Sequence, residues 1–487
     1  MNRLYCHSLE LLTDLYQLTM AYGYWKSSVA EKEAVFHLFY RRNPFGGGYA
    51  IASGLEYVVE LLQDFRFRDE DLEYLSGLQG NDDGPLFEHD FLEELSSAKF
   101  VCDVDAIPEG TVVFPHEPLI RVIGPIVQCQ ILETALLNMV NFQTLIATKS
   151  SRICHAADGD PVLEFGLRRA QGIDGALAAS RAAFIGGCAA TSNVLAGKLF
   201  GIPVKGTHAH SWIMSFDTEA EAFDAYAQAM PNNCVFLVDT YDTLEGVRHA
   251  VETGRRLRAR GHEMVGIRLD SGDLSYLSIQ ARQILNEAGF DHAIIVASND
   301  LDEELIANLK QNGAAINVWG VGTRLVTGYD QPALGGVYKL SALRQPGGEW
   351  DYRIKLSEQA IKISNPGILQ VRRFRRGDRF TADVIFNECE GIPNCCSMVD
   401  PLDPSRQQLI DQHESGNDLL VPIFRRGKRV YALPDIREIR EHRARQMEAV
   451  SPEVKMRKHA HRYPVGLEAG LHDLKTQLIQ EMRSRSG

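Results

Sequence analysis

The sequence predicts an α/β protein whose middle part is a β/α barrel, preceded by a mixed α+β region. Three observations predict it. Six short apolar runs each break off in polar, Gly-rich or charged residues: PVLEFGLRRAQG from Pro161, IPVKGTHAHSW from Ile202, NCVFLVDTYD from Asn233, EMVGIRLDSGD from Glu263, HAIIVASND from His292 and AAINVWGVGTR from Ala314. None alternates, as expected of strands buried on both faces of a parallel sheet. Successive runs start roughly 20 to 40 residues apart, enough for a strand, a helix and two turns. Helical sequence fills the gaps at 218–228, 244–260, 274–288 and 301–311.

Before the barrel, residues 9–24 read as a helix with Leu11, Leu12, Leu15, Leu18 and Met20 on one broad face. EAVFHLFYRRNP follows as a strand closed by the FGGGY turn at 45–49, and 55–62 as a second helix. The stretch from Phe100, rich in Val, Ile, Pro and Gly, predicts short antiparallel strands with tight turns. A long helix over 128–156 leads into the barrel. After Leu340 the pattern changes. QPGGEW is a hairpin turn, VRRFRRGDRFTADVIF alternates like an exposed strand pair, and 435–450 is an exposed helix with Glu441 four residues before Arg445. Arg425, Arg426, Lys428 and Arg429 read as a solvated hairpin rather than a polyanion site. The expected domains are 1–127, 128–345 and 346–487.

Composition narrows the function classes. With 487 residues, 45% of them hydrophobic and 24% charged, the chain has matter for a large core. A formal charge of −13 argues against nucleic-acid binding. Nine cysteines without framework spacing suit a reduced, cytoplasmic setting, and Cys389, Cys395 and Cys396 lack the second ligand pair of a zinc knuckle. Glu10 and Asp14 interrupt any leader-like apolar stretch, and nowhere is there a run long enough to span a membrane.

A β/α barrel places everything that follows its strands on one face. Arg168, His208, His210, Asp239, Arg268, Asp270, Asp273, Asn299, Asp300, Thr323 and Arg324 are therefore expected around one mouth. G-V-G-T-R, with Gly320, Gly322 and Thr323, offers bare backbone N–H groups to a phosphate, and Gly335 and Gly336 form a second pair. Neither a Walker A motif nor a dinucleotide fingerprint is present. Five aspartates at one mouth, Asp239, Asp242, Asp270, Asp273 and Asp300, repel each other unless a cation joins them, and Mg²⁺ carrying a diphosphate would suit. Asp273 and Asp300 read as helix caps, Asp239 and Asp270 as site residues. His208 and His210, two apart on extended chain, point to opposite sides. A neutral imidazole there serves as a nucleophile towards phosphorus or as a base. Arg168 and Arg268 supply planar forks for carboxylate or phosphate. The residues by themselves indicate an anionic, phosphorylated, metal-bound substrate and leave the reaction open. A non-catalytic nucleotide-binding regulatory barrel is the rival from another class. An aldolase-like barrel would need Lys205 as its Schiff-base lysine.

The strings LLTDLYQLTMAYGYW, RRNPFGGGYAIASGLE, EFGLRRAQGIDGALAASRAAFIGGCAATSNVLAG, GTHAHSW, IRLDSGDL, SND, GVGTRLVTGYDQPALGGVYKL and HRYPVGL occur in this order along the chain. Together they resemble the nicotinate phosphoribosyltransferase family of type II phosphoribosyltransferases. The resemblance implies an irregular β/α barrel with a second α+β domain built from the N-terminal region and part of the C-terminal tail. It implies the joining of nicotinate to 5-phosphoribosyl 1-diphosphate with coupled ATP hydrolysis, a homodimer with shared active sites, Mg²⁺, and a phosphohistidine at His210. Arg268 and Asp270 would be catalytic, and Arg268 would meet the nicotinate carboxylate with Thr207, Ser211 and Arg168 nearby. Tyr16 of the partner subunit and Phe165 would stack the ring. Ser298, Asn299, Gly320, Gly322, Thr323, Gly335 and Gly336 would hold phosphate, and Asp239 and Asp270 the metal. Serine at 211 would favour an acid over an amide. The same fold with nicotinamide or quinolinate as substrate stays open.

Overall fold

The computed structural model describes residues 9–27, 29–393, 396–411 and 413–485; Cys395 lies outside them. The chain divides into two units, Met1–Thr144 with Ala333–Asp435 and Glu441–Gly487, and Leu145–Pro332 with Ile436–Arg440.

The second unit holds the expected barrel. Its strands are β1 (Val162–Glu164), β2 (Ala190–Thr191), β3 (Val235–Leu237), β4 (Gly266–Leu269), β5 (Ile294–Ala297) and β6 (Val318–Val321). They lie in the order β2-β1-β6-β5-β4-β3, every pair parallel. Five of the six apolar runs are strands. The run from Ile202 is not: it keeps only a bridge from Val204 to Thr191, while the short strand β2 takes the place beside β1. Pro203 has no N–H to give a ladder, which is why the run reads as a strand yet cannot act as one. It spans the two sheet edges instead. Lys205 N–H donates to Thr191 O at 3.0 Å, and at the other end Leu237 N–H of β3 donates to His208 Nε2 at 3.3 Å. The closure is irregular because one edge is held by a side chain.

The helices between strands are α1 (Gly172–Gly186), α2 (Val194–Phe200), α3 (His210–Ile213), α4 (Glu219–Ala229), α5 (Thr243–Ala259), α6 (Leu274–Glu287), α7 (Glu303–Gln311) and α8 (Thr323–Val326). Thr218 caps α4 in a capping box, Asp242 caps α5 and Asp273 caps α6. The cap of α7 is Asp302, not Asp300, which has φ 34° and no helix to cap. At Gly246 a Cβ would stand 2.1 Å from Val238 O, so only glycine lets α5 pack this closely on the end of β3.

Beside a two-stranded sheet that pairs 50–51 with 112–113, the first unit is built on two large sheets. One orders 351–352, 336–344, 33–40, 120–125, 103–106, 421–425 and 428–429, antiparallel throughout. The other centres on the hairpin Leu369–Arg376 and Arg379–Asn387, flanked by Ser415–Asp418 and Val465–Glu468. That hairpin, expected to be exposed, is largely buried: Phe374, Ala382 and Val384 pack with Cys396, Met398 and Ile410. Its charges misled because Arg373 and Asp383 neutralise each other inside. The expected helix over 128–156 is two, Ile126–Ile131 and Glu133–Ala157.

Candidate active site

The ends of β3, β4 and β5, with the segment that leads into α3, bring six of the expected residues together: Thr207, His210, Asp239, Arg268, Asp270 and Ser298. Arg268, in β4, is pinned by three acceptors: Nε donates to Ser298 Oγ at 2.8 Å, Nη1 to Thr207 Oγ1 at 3.1 Å and Nη2 to Asp270 Oδ1 at 2.9 Å. Ser298, just past β5, donates its hydroxyl to the same Asp270 oxygen. The other oxygen of Asp270 stands 3.8 Å from His210 Nε2. His210 opens α3, with Nδ1 3.1 Å from Thr240 Oγ1. Asp239, at the end of β3, accepts from Asp270 N–H at 2.8 Å and Ser271 Oγ at 2.6 Å, both through Oδ2.

Electrostatics follow from these contacts. Burial works to raise the Asp270 carboxyl, but the Ser298 hydroxyl, the Arg268 guanidinium and His210 outweigh it and hold it below the usual carboxylate range. Asp270 is therefore anionic at neutral pH. His208 is the opposite case: buried at 8% exposure and set edge-on to Tyr226 at 4.8 Å, it is pushed down to about 4 by desolvation. It is a neutral structural imidazole whose Nε2 accepts from the backbone, as its place off the mouth side predicts.

An aromatic wall completes the site. The Phe165 ring centroid lies 5.9 Å from Arg268 Cζ. Phe165 N–H donates to Val321 O at 2.8 Å, and a Cβ on Gly320 would come within 2.8 Å of its ring. Gly320 is thus bare because the ring occupies the space. Gly322 and Thr323 open the short α8.

Other expected residues stand apart from this network. Arg168 is exposed on the turn Leu167–Arg169, and Ser211 is exposed on α3, with its carbonyl accepting from Ser215 Oγ. Asn299, at φ 91°, faces a groove of about 700 Å³ with Asp300 and Arg324. Arg324 is spent on Asp302 and on the Tyr329 ring at 4.8 Å. Gly335, Gly336 and Tyr16 belong to the first unit, where Tyr16 is 50% exposed. Thr240 and Ser271 were not anticipated; the D-T-Y-D and D-S-G-D strings carry them beside the aspartates that were.

Asp239 Oδ1 is buried and has no hydrogen-bond partner among the described residues. A buried carboxylate oxygen with unspent lone pairs fits a cation, so Mg²⁺ is compatible with Asp239. Asp270 fits less well, since its Oδ1 already serves Arg268 and Ser298.

Comparison with known proteins gives this arrangement its family. Residues 11–141 match the nicotinate phosphoribosyltransferase (NAPRTase) N-terminal domain, 161–350 the NAPRTase family and 370–475 the NAPRTase C-terminal domain. A nicotinate phosphoribosyltransferase of Bacillus subtilis is 43% identical over 483 residues, 98% of this chain and 96% of its own. The chain belongs to the nicotinate phosphoribosyltransferase family. The Homo sapiens nicotinate phosphoribosyltransferase is 35% identical over 96% of each chain. The crystal structure of human nicotinic acid phosphoribosyltransferase superposes with a TM-score of 0.84 at 33% identity, covering 96% of this chain and all of that one. A nicotinate-nucleotide pyrophosphorylase from Pyrococcus furiosus, at 23% identity and TM-score 0.68, shares the fold. The irregular barrel with its α+β companion is thus the NAPRTase architecture.

Proposed function

We propose that this chain joins nicotinate to 5-phosphoribosyl 1-diphosphate, giving nicotinate mononucleotide and diphosphate, the entry of nicotinate into NAD. The observation that carries the reading is the state of Arg268. Guanidinium has five N–H donors, and three are spent on Ser298, Thr207 and Asp270. Two remain on a side chain that its neighbours hold still, the number a carboxylate takes from an arginine fork. With the Phe165 ring near Arg268, the pocket suits a flat ring bearing an acid.

In this reading the pyridine nitrogen attacks the anomeric carbon as diphosphate departs, through an oxocarbenium-like state that anionic Asp270 favours electrostatically. Mg²⁺, held by Asp239, would neutralise the leaving diphosphate. The 5′-phosphate would meet the backbone N–H groups at Gly320, Gly322 and Thr323, with Ser298 contributing. ATP would transfer its γ-phosphoryl group to His210, releasing ADP, and water would later free phosphate. Thr240 and Asp270 orient that imidazole. We further assign a homodimer in which Tyr16 of the partner subunit stacks the second face of the ring. Half-exposed Tyr16, on a helix that also exposes Leu15 and Met20, supports a partner there. Cysteines without framework spacing support a cytoplasmic setting, and no described helix is long and apolar enough to cross a membrane.

The purified protein, mixed with Mg²⁺, 5-phosphoribosyl 1-diphosphate and either nicotinate or nicotinamide, with and without ATP, tests this directly. Nicotinate mononucleotide should form preferentially, and faster with ATP. Preference for nicotinamide would overturn the substrate assignment, and no mononucleotide from either base would overturn the reaction.

A further inference from the structure

Glu164, the last residue of β1, is fully buried, and its hydrogen-bond partners among the described residues are three neutral donors. Oε1 accepts from Gly166 N–H, and Oε2 accepts from the hydroxyls of Ser180 at 2.9 Å and Thr191 at 2.5 Å. No ion pair of Glu164 occurs among the described residues. A buried carboxylate without a cation is costly, and neutral hydrogen bonds offset that cost only in part. Folding alone would be served by a residue without a carboxyl group, so the carboxylate calls for another reason.

The reason lies in what the two oxygens hold. One oxygen grips fixed scaffold: Ser180 on α1 and Thr191 on β2, which are themselves tied to Asn193, whose Nδ2 donates to Ser180 Oγ at 3.2 Å and whose N–H donates to Thr191 Oγ1 at 2.9 Å. The other oxygen grips Gly166, the residue after Phe165. Phe165 is thereby clamped from both sides, its own N–H on Val321 O and the next N–H on Glu164. Gly166 has no slack either, since a Cβ there would stand 2.3 Å from Val326 Cγ1.

We infer that Glu164 is a positioning residue that sets the plane of the Phe165 ring and thereby nicotinate affinity. The inference rests on the reading that Phe165 stacks the substrate ring. A carboxylate acceptor makes a hydrogen bond about twice as strong as an amide acceptor does, which is what a ring aimed by one peptide requires.

Two substitutions separate aiming from holding. Glu164→Gln keeps the shape but loses the charge, and its amide accepts from Gly166 or from the hydroxyls, not both. Glu164→Asp gives up the hydroxyls, yet an aspartate bonds the N–H two residues on in an Asx turn. We expect Glu164→Gln to raise the KM for nicotinate about tenfold, the size of a lost charge-assisted bond. The KM for 5-phosphoribosyl 1-diphosphate should stay within about twofold, while Glu164→Asp keeps nicotinate KM near wild type at a lower melting temperature. Equal shifts in both KM values, or none, would overturn the inference. Phe165→Leu, assayed alongside, separates the two layers. If it leaves nicotinate KM unchanged, the stacking reading falls and takes the inference with it. If it raises nicotinate KM while Glu164→Gln does not, only the inference falls. Should Glu164→Gln not fold, Ser180→Ala with Thr191→Val removes the hydroxyls alone, and a tenfold rise in nicotinate KM there would overturn the aiming role.

Discussion

Two arginine–aspartate couples, one in each unit, use the same chemistry to opposite ends. In the first unit Arg373 and Asp383 face each other across the 369–387 hairpin, at 3% and 0% side-chain exposure. Arg373 Nη2 lies 2.5 Å from Asp383, Nη1 donates to Gln446, and the guanidinium sits over Phe380 and Phe114. Tyr463 donates to Asp383 at 3.0 Å, and Glu117, pushed well above the carboxylate range by burial and by Asp383, shares the pocket. In the second unit Arg268 and Asp270 are at 16% and 28% exposure, with two guanidinium N–H groups and one carboxylate oxygen, the one facing His210, without a hydrogen bond among the described residues. The sealed couple has nothing to offer a ligand and serves the fold. The open couple is held just as firmly on one side and left unfinished on the other. Unspent valence on a rigid frame, rather than the presence of charge, distinguishes a site from a staple.

Breaking each couple should break a different property. Arg268→Ala is expected to lower kcat/KM for nicotinate by about 10²- to 10³-fold, the loss of a bidentate anchor. Its melting temperature should fall only slightly, since the partner carboxylate is part-exposed. Arg373→Ala should do the reverse, costing about 3–5 kcal/mol by leaving Asp383 buried and unpaired. A urea melt beside a steady-state assay on the folded fraction distinguishes them; equal damage to both properties in either variant would erase the contrast.

His208 sharpens the comparison from the side of pH. Its folded value of about 4 lies below the ordinary 6.5, so the unfolded chain binds the extra proton first. Its contribution is complete above about pH 6.5 and lost as pH falls towards 4, up to roughly 3 kcal/mol. His116 of the first unit, also about 4, acts in the same window, so the test is a difference. His208→Leu should flatten part of the decline in urea midpoint between pH 7 and 5; an unaltered slope would contradict the assignment. Asp270, held low, contributes above the usual carboxylate range and loses its share only as pH falls through its depressed value, leaving the open couple intact where His208 is failing.

Smaller effects are expected where space or charge is altered at the edge. Gly320→Ala would press a methyl to 2.8 Å from Phe165 and should weaken nicotinate binding several-fold. Ser211→Asp should depress nicotinate use modestly by repulsion, without loss of fold, because Ser211 is exposed. Unchanged nicotinate use in Ser211→Asp would remove Ser211 from specificity.

Much of the barrel was legible. Non-alternating apolar runs with amphipathic helices between them specify strands buried on both faces, and five of the six are strands. The run from Ile202 was misread because hydrophobicity reports burial and not hydrogen bonding, and Pro203 settles the latter. Ala190–Thr191 was invisible because two residues carry no period. Arg268, Asp270, His210 and Asp239 were found from the polar residues that end each strand. Their division of labour was not, since it depends on which oxygen each donor reaches.

By itself, the sequence determined the repeat of strand and helix, the glycines that bare backbone at strand ends, and the supply of arginine, histidine and aspartate at one mouth. Those follow from local pattern, which needs only near neighbours. Only the tertiary structure decided which charges are spent. Arg373 reads in sequence like a solvated arginine, and Glu164 like any strand residue. Each acquires its meaning from partners such as Asp383, 10 positions from Arg373, and Thr191, 27 positions from Glu164, because the low dielectric of the interior makes the count of remaining donors and acceptors decisive.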